Sequence, residues 1–242
     1  MSDEILSIFI GYDAREDVAY RVCQASIERR SSKAVHIQPL NQDALRRMGV
    51  YRRAASPGTW RDSADGKPFS TEFSFSRFLV PALTQWTGWA LFMDCDMLVT
   101  RDISELFDLR DVSKAVMVVK HDHRPKEGWK MDGVDQTVYP RKNWSSVMLW
   151  NCHHPSNLMF GIDDVNNKPG SWLHGFGWLA ENEIGELPKE WNWLEGWDKP
   201  GETLPAIIHY TRGGPWFQHW RHVDYADLWV TEREGLSRDK PE

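Results

Sequence analysis

Short apolar runs that stop at a glycine or a charged residue recur along the chain and predict its β-strands. They cover residues 6–10, 34–40, 89–93, 115–119, 146–150 and 206–210. Residues 16–30 follow the first run with apolar positions at helical spacing, so strand, glycine turn and helix form a βα unit. Strands that alternate with helices indicate an α/β fold. In such a fold, helices flank a mostly parallel central sheet and ligands bind beyond the carboxyl ends of its strands.

The segments between the strands predict further helices and one long loop. A helix through residues 73–86 would be capped by Ser70 or Thr71, and a short helical turn covers residues 103–109. Residues 49–70 mix glycine, proline and charge without periodicity. A loop of that length in a compact domain is usually functional or mobile.

Two features each allow two interpretations. Arg77 lies alone on an apolar helix, where it either extends to water or contacts a phosphate or a base. Residues 170–197 are dense in tryptophan and glycine, with Glu181, Glu183 and Glu195 among them. This segment predicts either a wall of aromatic faces over a cleft or a second lobe packed by indole rings.

Composition limits the class of protein. An apolar content of 41% in 242 residues is enough for one sizeable core, and we predict a single domain. The net charge of -6 gives no basic surface for nucleic acid. Cys23, Cys95 and Cys152 have no metal-binding spacing, so we expect reduced thiols.

Targeting signals are not evident in the sequence. The first residues are acidic and lack the basic region of a signal peptide, and no run of about 18 apolar residues predicts a transmembrane helix. We therefore expect a cytoplasmic protein, and a position at the inner face of a membrane is compatible with this. The sequence does not determine the oligomeric state, for which a homodimer is one option.

Asp94 and Asp96 directly follow the apolar run 89–93 and form a D-x-D motif. Two carboxylates at the end of a buried strand lose hydration, and a divalent cation compensates for that loss. Mg²⁺ or Mn²⁺ takes carboxylate oxygens and leaves positions for the oxygens of a nucleotide diphosphate. The alternative is a strand-end turn whose acids pair with Arg101 or cap a helix.

Polar residues follow the other predicted strands and should reach the same edge of the sheet. Tyr12 and Asp13 come after the first strand, and residues 120–123 come after the fourth. His121 and His123 are either metal ligands or hydrogen-bonded loop residues.

The last predicted strand carries His209 and is followed by a glycine pair. His209 is a candidate third metal ligand, or else a histidine held at a strand end by hydrogen bonds. Gly213 and Gly214 would let the backbone approach a ligand and expose N–H groups to a phosphate.

An ordered set of motifs resembles the nucleotide-sugar glycosyltransferases of GT-A fold. The set is IFIGYD, FSFSRFLVPAL, ALFMDCDMLV, SSVMLWN, LPKEWN and HYTRGGPW, and it spans about residues 5 to 220. The chain looks most similar to glycosyltransferase family 8, which includes glycogenin and bacterial lipopolysaccharide galactosyltransferases. The resemblance implies a Rossmann-like domain over residues 1–242, with a nucleotide-binding half at 1–120. Residues 121–242 would form the sugar and acceptor half, with a Trp-rich acceptor-side lobe.

The resemblance also implies roles for individual residues. Asp94, Asp96 and His209 match the ligands of Mn²⁺ on the donor diphosphate. The residues assigned to the nucleotide, which is UDP in preference to GDP, are Gly11, Tyr12, Asp13, Arg77, Cys95, Arg212, Gly213 and Gly214. The residues assigned to the sugar substrates are Lys120, His121, Ser145, Ser146, His174 and Trp178.

The sequence departs from the family at two places. The family ends in H-x-x-G-x-x-K-P-W, whereas here no lysine precedes Pro215, and Arg212 would supply that charge. The acidic D-Q-D stretch of the family is not evident around residues 174–178, so the identity of the donor sugar does not transfer.

The chemistry allows more than one outcome. A cation held by two carboxylates and an imidazole would neutralise the departing diphosphate. An inverting enzyme would need a carboxylate base, for which Asp122, Glu181 and Glu183 are candidates, whereas the family resemblance implies retention.

Two other functional classes compete with a glycosyltransferase. A sugar-phosphate nucleotidyltransferase should carry a glycine-rich loop after the first strand, but residues 11–17 contain one glycine. A carbohydrate-binding protein would explain the 14 tryptophans and leave the D-x-D motif without a purpose.

Overall fold

The computed structural model describes residues 4–54, 60–122, 141 and 143–238. Its strands are β1 (Leu6–Gly11), β2 (Val35–Leu40), β3 (Trp89–Met93), β4 (Met97–Val99), β5 (Val116–Val118), β6 (Val147–Asn151), β7 (Ile184–Glu186), β8 (Trp193–Leu194) and β9 (Ile207–His209). Its α-helices are α1 (Asp17–Arg30), α2 (Gln42–Arg47), α3 (Val80–Leu83), α4 (Ser104–Asp108), α5 (Pro155–Leu158), α6 (Ile162–Asn167), α7 (Gly170–His174) and α8 (Ala226–Arg238). Short 3₁₀ turns lie at Ala14–Glu16, Ser76–Leu79, Trp144–Ser146, Glu181–Glu183, Lys189–Asn192 and Gln218–Trp220.

The central sheet is mostly parallel, which confirms the predicted α/β class. Within the described residues it has six strands in the order β2-β1-β3-β6-β5-β7. Strand β6 runs antiparallel to both of its neighbours, β3 and β5, while the other pairs are parallel. Because β6 lies between β3 and β5, residues from both sides of position 120 share one sheet.

A smaller sheet continues from the same D-x-D segment. In the part of the chain that the structure describes, it has three strands in the order β4-β9-β8. Strand β4 pairs antiparallel with β9, and Met97 lies opposite His209 in that register. This pairing places the last predicted strand of the chain beside the residues that follow Asp94 and Asp96.

Apolar side chains fill the space around both sheets. Residues 90–93 of β3 are fully buried, as expected for a central strand that is covered on both faces. Trp178 packs against Phe160, with ring centroids 4.0 Å apart, and lies parallel to Trp150 at 6.2 Å. Trp193 and Trp229 belong to a second buried cluster under α8. For these residues, packing by indole rings is the interpretation that the contacts support.

The prediction of a helix through residues 73–86 is wrong at both ends, since helical structure covers only residues 76–83. Helical structure starts only with the 3₁₀ turn at Ser76 and continues as the four-residue α3. Pro81 lies in the first turn of α3, where its missing N–H is no loss. Upstream, the Ser74 N–H donates to Thr71 O at 3.1 Å and the Glu72 N–H to Asp13 Oδ2 at 3.3 Å, which gives a turn instead of a helix.

None of the helices in the described part of the chain is long and apolar enough to cross a membrane. All three cysteines are free thiols and are buried.

Gly11 ends β1 next to the ring of Phe73. This contact predicts that adding a methyl group at position 11 destabilises the protein. A Cβ atom at Gly11 would lie 2.4 Å from Phe73 Cδ2, so Gly11→Ala must displace a ring that lines the cleft described below. We expect the free energy of unfolding to fall by about 1–3 kcal/mol, measured by urea denaturation. At Gly201 no described atom lies within 4 Å of such a Cβ. Gly201→Ala should therefore change stability by less than about 0.5 kcal/mol, and equal losses for both variants would contradict the argument.

Candidate metal and nucleotide site

Asp94, Asp96 and His209 form one cluster at the carboxyl edge of the central sheet. One ligand atom from each lies within 4.8 Å of the others. The two aspartates occupy the link between β3 and β4, and the β4–β9 pairing brings in the histidine. The side chain of His209 is 3% exposed, against 14% and 19% for Asp94 and Asp96, so the cluster opens on the carboxylate side.

Arg77 is buried beside the first aspartate. Its Nη1 lies 2.9 Å from Asp94 Oδ1 and donates to the carbonyl oxygen of Ser145 at 2.8 Å. The guanidinium also lies 5.0 Å from the ring centroid of Phe92. With 6% of its surface exposed, Arg77 does not extend to water, and its charge acts on Asp94.

The donor set of this cluster fits a divalent cation. Carboxylate oxygens and an imidazole nitrogen are ligands of Mn²⁺ and Mg²⁺. Arg77 compensates one of the two carboxylate charges, so with a neutral His209 the cluster keeps one net negative charge. A hard cation would remove that charge and could still bind oxygens of a diphosphate on its open side.

A cleft of about 110 Å³ opens next to the cluster. Its wall includes Ser145, Ser146, His174 and Phe73, together with Asp94, Asp96, Arg77 and His209. The hydroxyl of Ser145 lies 2.8 Å from Nδ1 of the buried His174. The opposite wall comes from the long loop, through residues such as Lys67, Ser70 and Thr71.

The segment around residue 62 is held against the cleft by a buried ion pair. Arg53 Nε donates to Asp62 Oδ1 at 2.8 Å, and both side chains are 1% exposed. The Gly170 N–H donates to Asp62 Oδ2 at 3.3 Å. Burial raises the pKa of Asp62, but its hydrogen bonds from Arg53 and from backbone N–H groups outweigh that effect and lower the pKa below its ordinary value.

A second groove of about 830 Å³ lies at the ends of β5 and β7. Lys120, His121 and Asp122 line it, together with the half-exposed Trp197. These predicted residues therefore face a different surface from the cluster. His123 lies outside the described residues.

Tyr12 and Asp13 follow β1 as predicted, and both have hydrogen-bond partners within the protein. The Tyr12 hydroxyl donates to Asp17 Oδ1 at 3.1 Å. Asp13 is fully buried and pairs with Arg15 at 2.6 Å. Burial raises the pKa of Asp13, but the hydrogen bonds from Arg15 prevail and leave the pKa below its ordinary value.

Cys95 is the residue between Asp94 and Asp96 in the sequence, and its side chain is buried outside the lining of the cleft. Burial raises the pKa of its thiol well above the ordinary value. The thiol donates to Glu16 Oε2 at 3.8 Å, and the thiol of Cys23 donates to the Asp94 carbonyl at 4.0 Å. These contacts tie the D-x-D backbone to the start and middle of α1.

In the loop after β9, the residues predicted to contact the diphosphate have protein partners. The Gly213 N–H donates to the Tyr210 carbonyl at 2.9 Å, and Gly214 makes room for the ring of Trp216. Arg212 donates to both carboxylate oxygens of the buried Glu195 at 3.1 Å. Each of these groups therefore has an internal structural role in this conformation.

Other predicted residues are also placed away from the cluster. Trp178 packs in the core and its Nε1 donates to Asn157 Oδ1 at 3.2 Å. Glu181 pairs with Arg141, and Glu183 accepts from the Ala180 N–H at 2.7 Å.

Sequence reasoning missed Asn192, which contacts the histidine of the cluster. Its Oδ1 lies 2.9 Å from His209 Nδ1, and its side chain is fully buried. The signal was present in the LPKEWN motif, whose last residue is Asn192, but no role was assigned to it.

Comparisons with solved structures define the class of the fold. The chain superposes on the bifunctional glycosyltransferase WbbM with a TM-score of 0.63 and 15% identity, over 96% of this chain and 50% of that one. For GlyE of Streptococcus pneumoniae the TM-score is 0.61 and the identity is 17%, over 97% of this chain and 64% of that one. For the galactosyltransferase LgtC, bound to donor and acceptor sugar analogs, the TM-score is 0.58 and the identity is 11%, over 98% of both chains. The chain thus spans half the length of WbbM and under two thirds of GlyE, and it has the fold of the GT-A glycosyltransferases.

Sequence comparison then identifies the family. No protein-family model matches the chain. It is 51% identical to Protein CDI of Arabidopsis thaliana over 236 residues, which are 96% of this chain and 87% of that protein. The chain belongs to the same family as Protein CDI.

Proposed function

We propose that this protein is a metal-dependent glycosyltransferase. It would move a sugar from a nucleotide-diphosphate donor to a hydroxyl group of a glycan or another acceptor. The observation that carries the proposal is the cluster of Asp94, Asp96 and His209 at the carboxyl edge of a GT-A sheet. The resemblance to family 8 favours a UDP-linked donor over a GDP-linked one.

The residues of the cluster would hold Mn²⁺ or Mg²⁺, which when bound supplies positive charge to stabilise the leaving diphosphate. Arg77 keeps Asp94 oriented through its 2.9 Å contact. Because Arg77 and His209 are buried, little rearrangement is needed to keep these groups in place.

Ser145 and His174 are our candidates for contacts with the donor sugar. Both line the cleft beside the cluster, and their mutual hydrogen bond fixes the orientation of the hydroxyl and the ring. A hydroxyl and an imidazole are groups that hydrogen-bond sugar hydroxyls.

The placement of the candidate bases supports retention of configuration. Asp122 lines the second groove, Glu181 pairs with Arg141, and Glu183 caps its own turn. None of these three lies in the wall of the cleft that holds the cluster.

One experiment tests the proposal against its competitors. The purified protein is incubated with UDP- and GDP-sugars, with Mn²⁺ or with EDTA, and release of UDP or GDP is followed with and without candidate acceptors. We expect one donor to be hydrolysed slowly in Mn²⁺, no release in EDTA, and recovery when Mn²⁺ is restored. A nucleotidyltransferase would instead release pyrophosphate from a nucleoside triphosphate and a sugar phosphate. Absence of metal-dependent binding or hydrolysis for every donor would contradict the proposal.

A further inference from the structure

Asn192 is a buried side chain whose amide hydrogen bonds are all defined. It is 0% exposed and ends the 3₁₀ turn Lys189–Asn192, just before β8. Its Nδ2 lies 3.3 Å from the Asn143 carbonyl oxygen and 2.8 Å from Ser146 Oγ. Its Oδ1 faces His209 Nδ1 at 2.9 Å.

The carbonyl of Asn143 fixes which way this amide points. A backbone carbonyl only accepts hydrogen bonds, so the atom of Asn192 that faces it must be the NH₂ group. Ser146 Oγ donates to the same carbonyl at 2.7 Å, which leaves its lone pairs to accept from Asn192 Nδ2. The amide oxygen of Asn192 is thereby directed at His209.

The orientation of the amide determines the proton on the imidazole. Because Asn192 Oδ1 only accepts, His209 Nδ1 must carry a hydrogen, and in the neutral ring Nε2 then holds the lone pair. Nε2 is the nitrogen that lies 3.3 Å from Asp96 Oδ1. In the neutral ring, the lone pair of Nε2 therefore lies on the side of Asp96.

We infer that Asn192 is a positioning residue, which locks His209 in the Nδ1–H tautomer with Nε2 directed at the Asp94–Asp96 pair. As a statement about metal binding, this rests on the proposed function. A ligand that is already oriented and in the correct tautomer loses less freedom when a cation binds, and the acceptor on its other nitrogen makes it more basic. Loss of such a partner typically weakens metal affinity about 10- to 100-fold.

The matched pair of variants is Asn192→Leu and Asn157→Leu. Asn157 is equally buried, and its Nδ2 donates at 2.8 Å to the carbonyls of Ala115 and Asn151, at the opposite end of β6. Both changes remove buried amide hydrogen bonds, but only the first removes a partner of His209. Mn²⁺ affinity is measured from the electron paramagnetic resonance signal of free Mn²⁺, without donor, below the unfolding temperature of both variants.

We expect Asn192→Leu to weaken Mn²⁺ binding about 10- to 100-fold and Asn157→Leu to change it less than about twofold. Equal affinities for Asn192→Leu and the wild type would overturn the inference.

A second measurement does not depend on any variant of Asn192. Long-range ¹H–¹⁵N spectra of the wild-type protein at alkaline pH report the tautomer of His209, whose signals are assigned by their loss in His209→Gln. An Nδ1–H ring supports the inference, and an Nε2–H ring overturns it. If the wild type shows the Nδ1–H ring but binds no Mn²⁺, the proposed function fails and the role of Asn192 in fixing the tautomer stands.

Discussion

Asp96→Asn should lower the rate of sugar transfer by about 10³-fold while the protein stays folded. The amide has nearly the same shape as the carboxylate but carries no charge and is a weak ligand for Mn²⁺. Asp96 is 19% exposed and lies 3.3 Å from His209, so the lost charge is at the cluster itself. Initial rates of UDP release in saturating Mn²⁺ measure the effect, and circular dichroism checks the fold.

The control for this change is Asp43→Asn, which removes the same charge from the exposed first turn of α2. Its rate should stay within about twofold of the wild type, since surface charges contribute little at a distance. Full activity of Asp96→Asn at saturating Mn²⁺ would remove the chemical basis of the proposed function.

Arg53→Met should lower the free energy of unfolding by about 3–5 kcal/mol. Methionine leaves the carboxylate of Asp62 buried without its partner, and it also removes the hydrogen bond from Arg53 Nη1 to the Val165 carbonyl at 2.7 Å. Asp62 lines the cleft, so we also expect weaker donor binding. Urea denaturation and donor titration are the two measurements.

This pair contributes to stability only where Asp62 is ionised. Its pKa is lowered in the folded protein, so the contribution is present above the ordinary pKa of about 3.9 and is lost as the pH falls through the lowered value. Denaturation should therefore be compared at neutral pH.

The preceding residue supplies the control for Arg53→Met. Arg52 pairs with Asp163, but the two side chains are 53% and 83% exposed. Arg52→Met should lower the free energy of unfolding by less than about 1 kcal/mol. The double variant Arg53→Met/Asp62→Leu should recover much of the loss, because it leaves no unpaired charge. A loss as small as that of Arg52→Met would show that the buried pair does not hold the cleft wall.

Six of the nine strands in the described residues were predictable, because a strand such as β3 that is buried on both faces leaves a continuous apolar run. Strands β4, β7 and β8 have only two or three residues each and were not predicted. The run at residues 89–93 has the bounds of β3, and the others differ from their strands by one or two residues. The true bounds of the helix predicted at residues 73–86 were not predictable, since apolar spacing cannot show that Asp13 holds the Glu72 N–H from a distant position.

The three residues of the cluster were also predictable, because each follows or ends an apolar run at one edge of the sheet. Where the side chain of Arg212 points was not predictable. Gly196 has a φ of 73° and no side chain, so it leaves room for the guanidinium of Arg212. Arg212 therefore reaches Glu195. Asn192 was missed because its importance comes from what its amide contacts, and composition and periodicity do not show that.

The β4–β9 pairing has a consequence for biosynthesis. Asp94 and Asp96 precede β4, whereas His209 belongs to the last strand of the smaller sheet. A growing polypeptide therefore holds both acids long before the imidazole leaves the ribosome. If the cluster binds a cation as we propose, its three ligands come together only once β9 has docked beside β4, so complete coordination would follow that step.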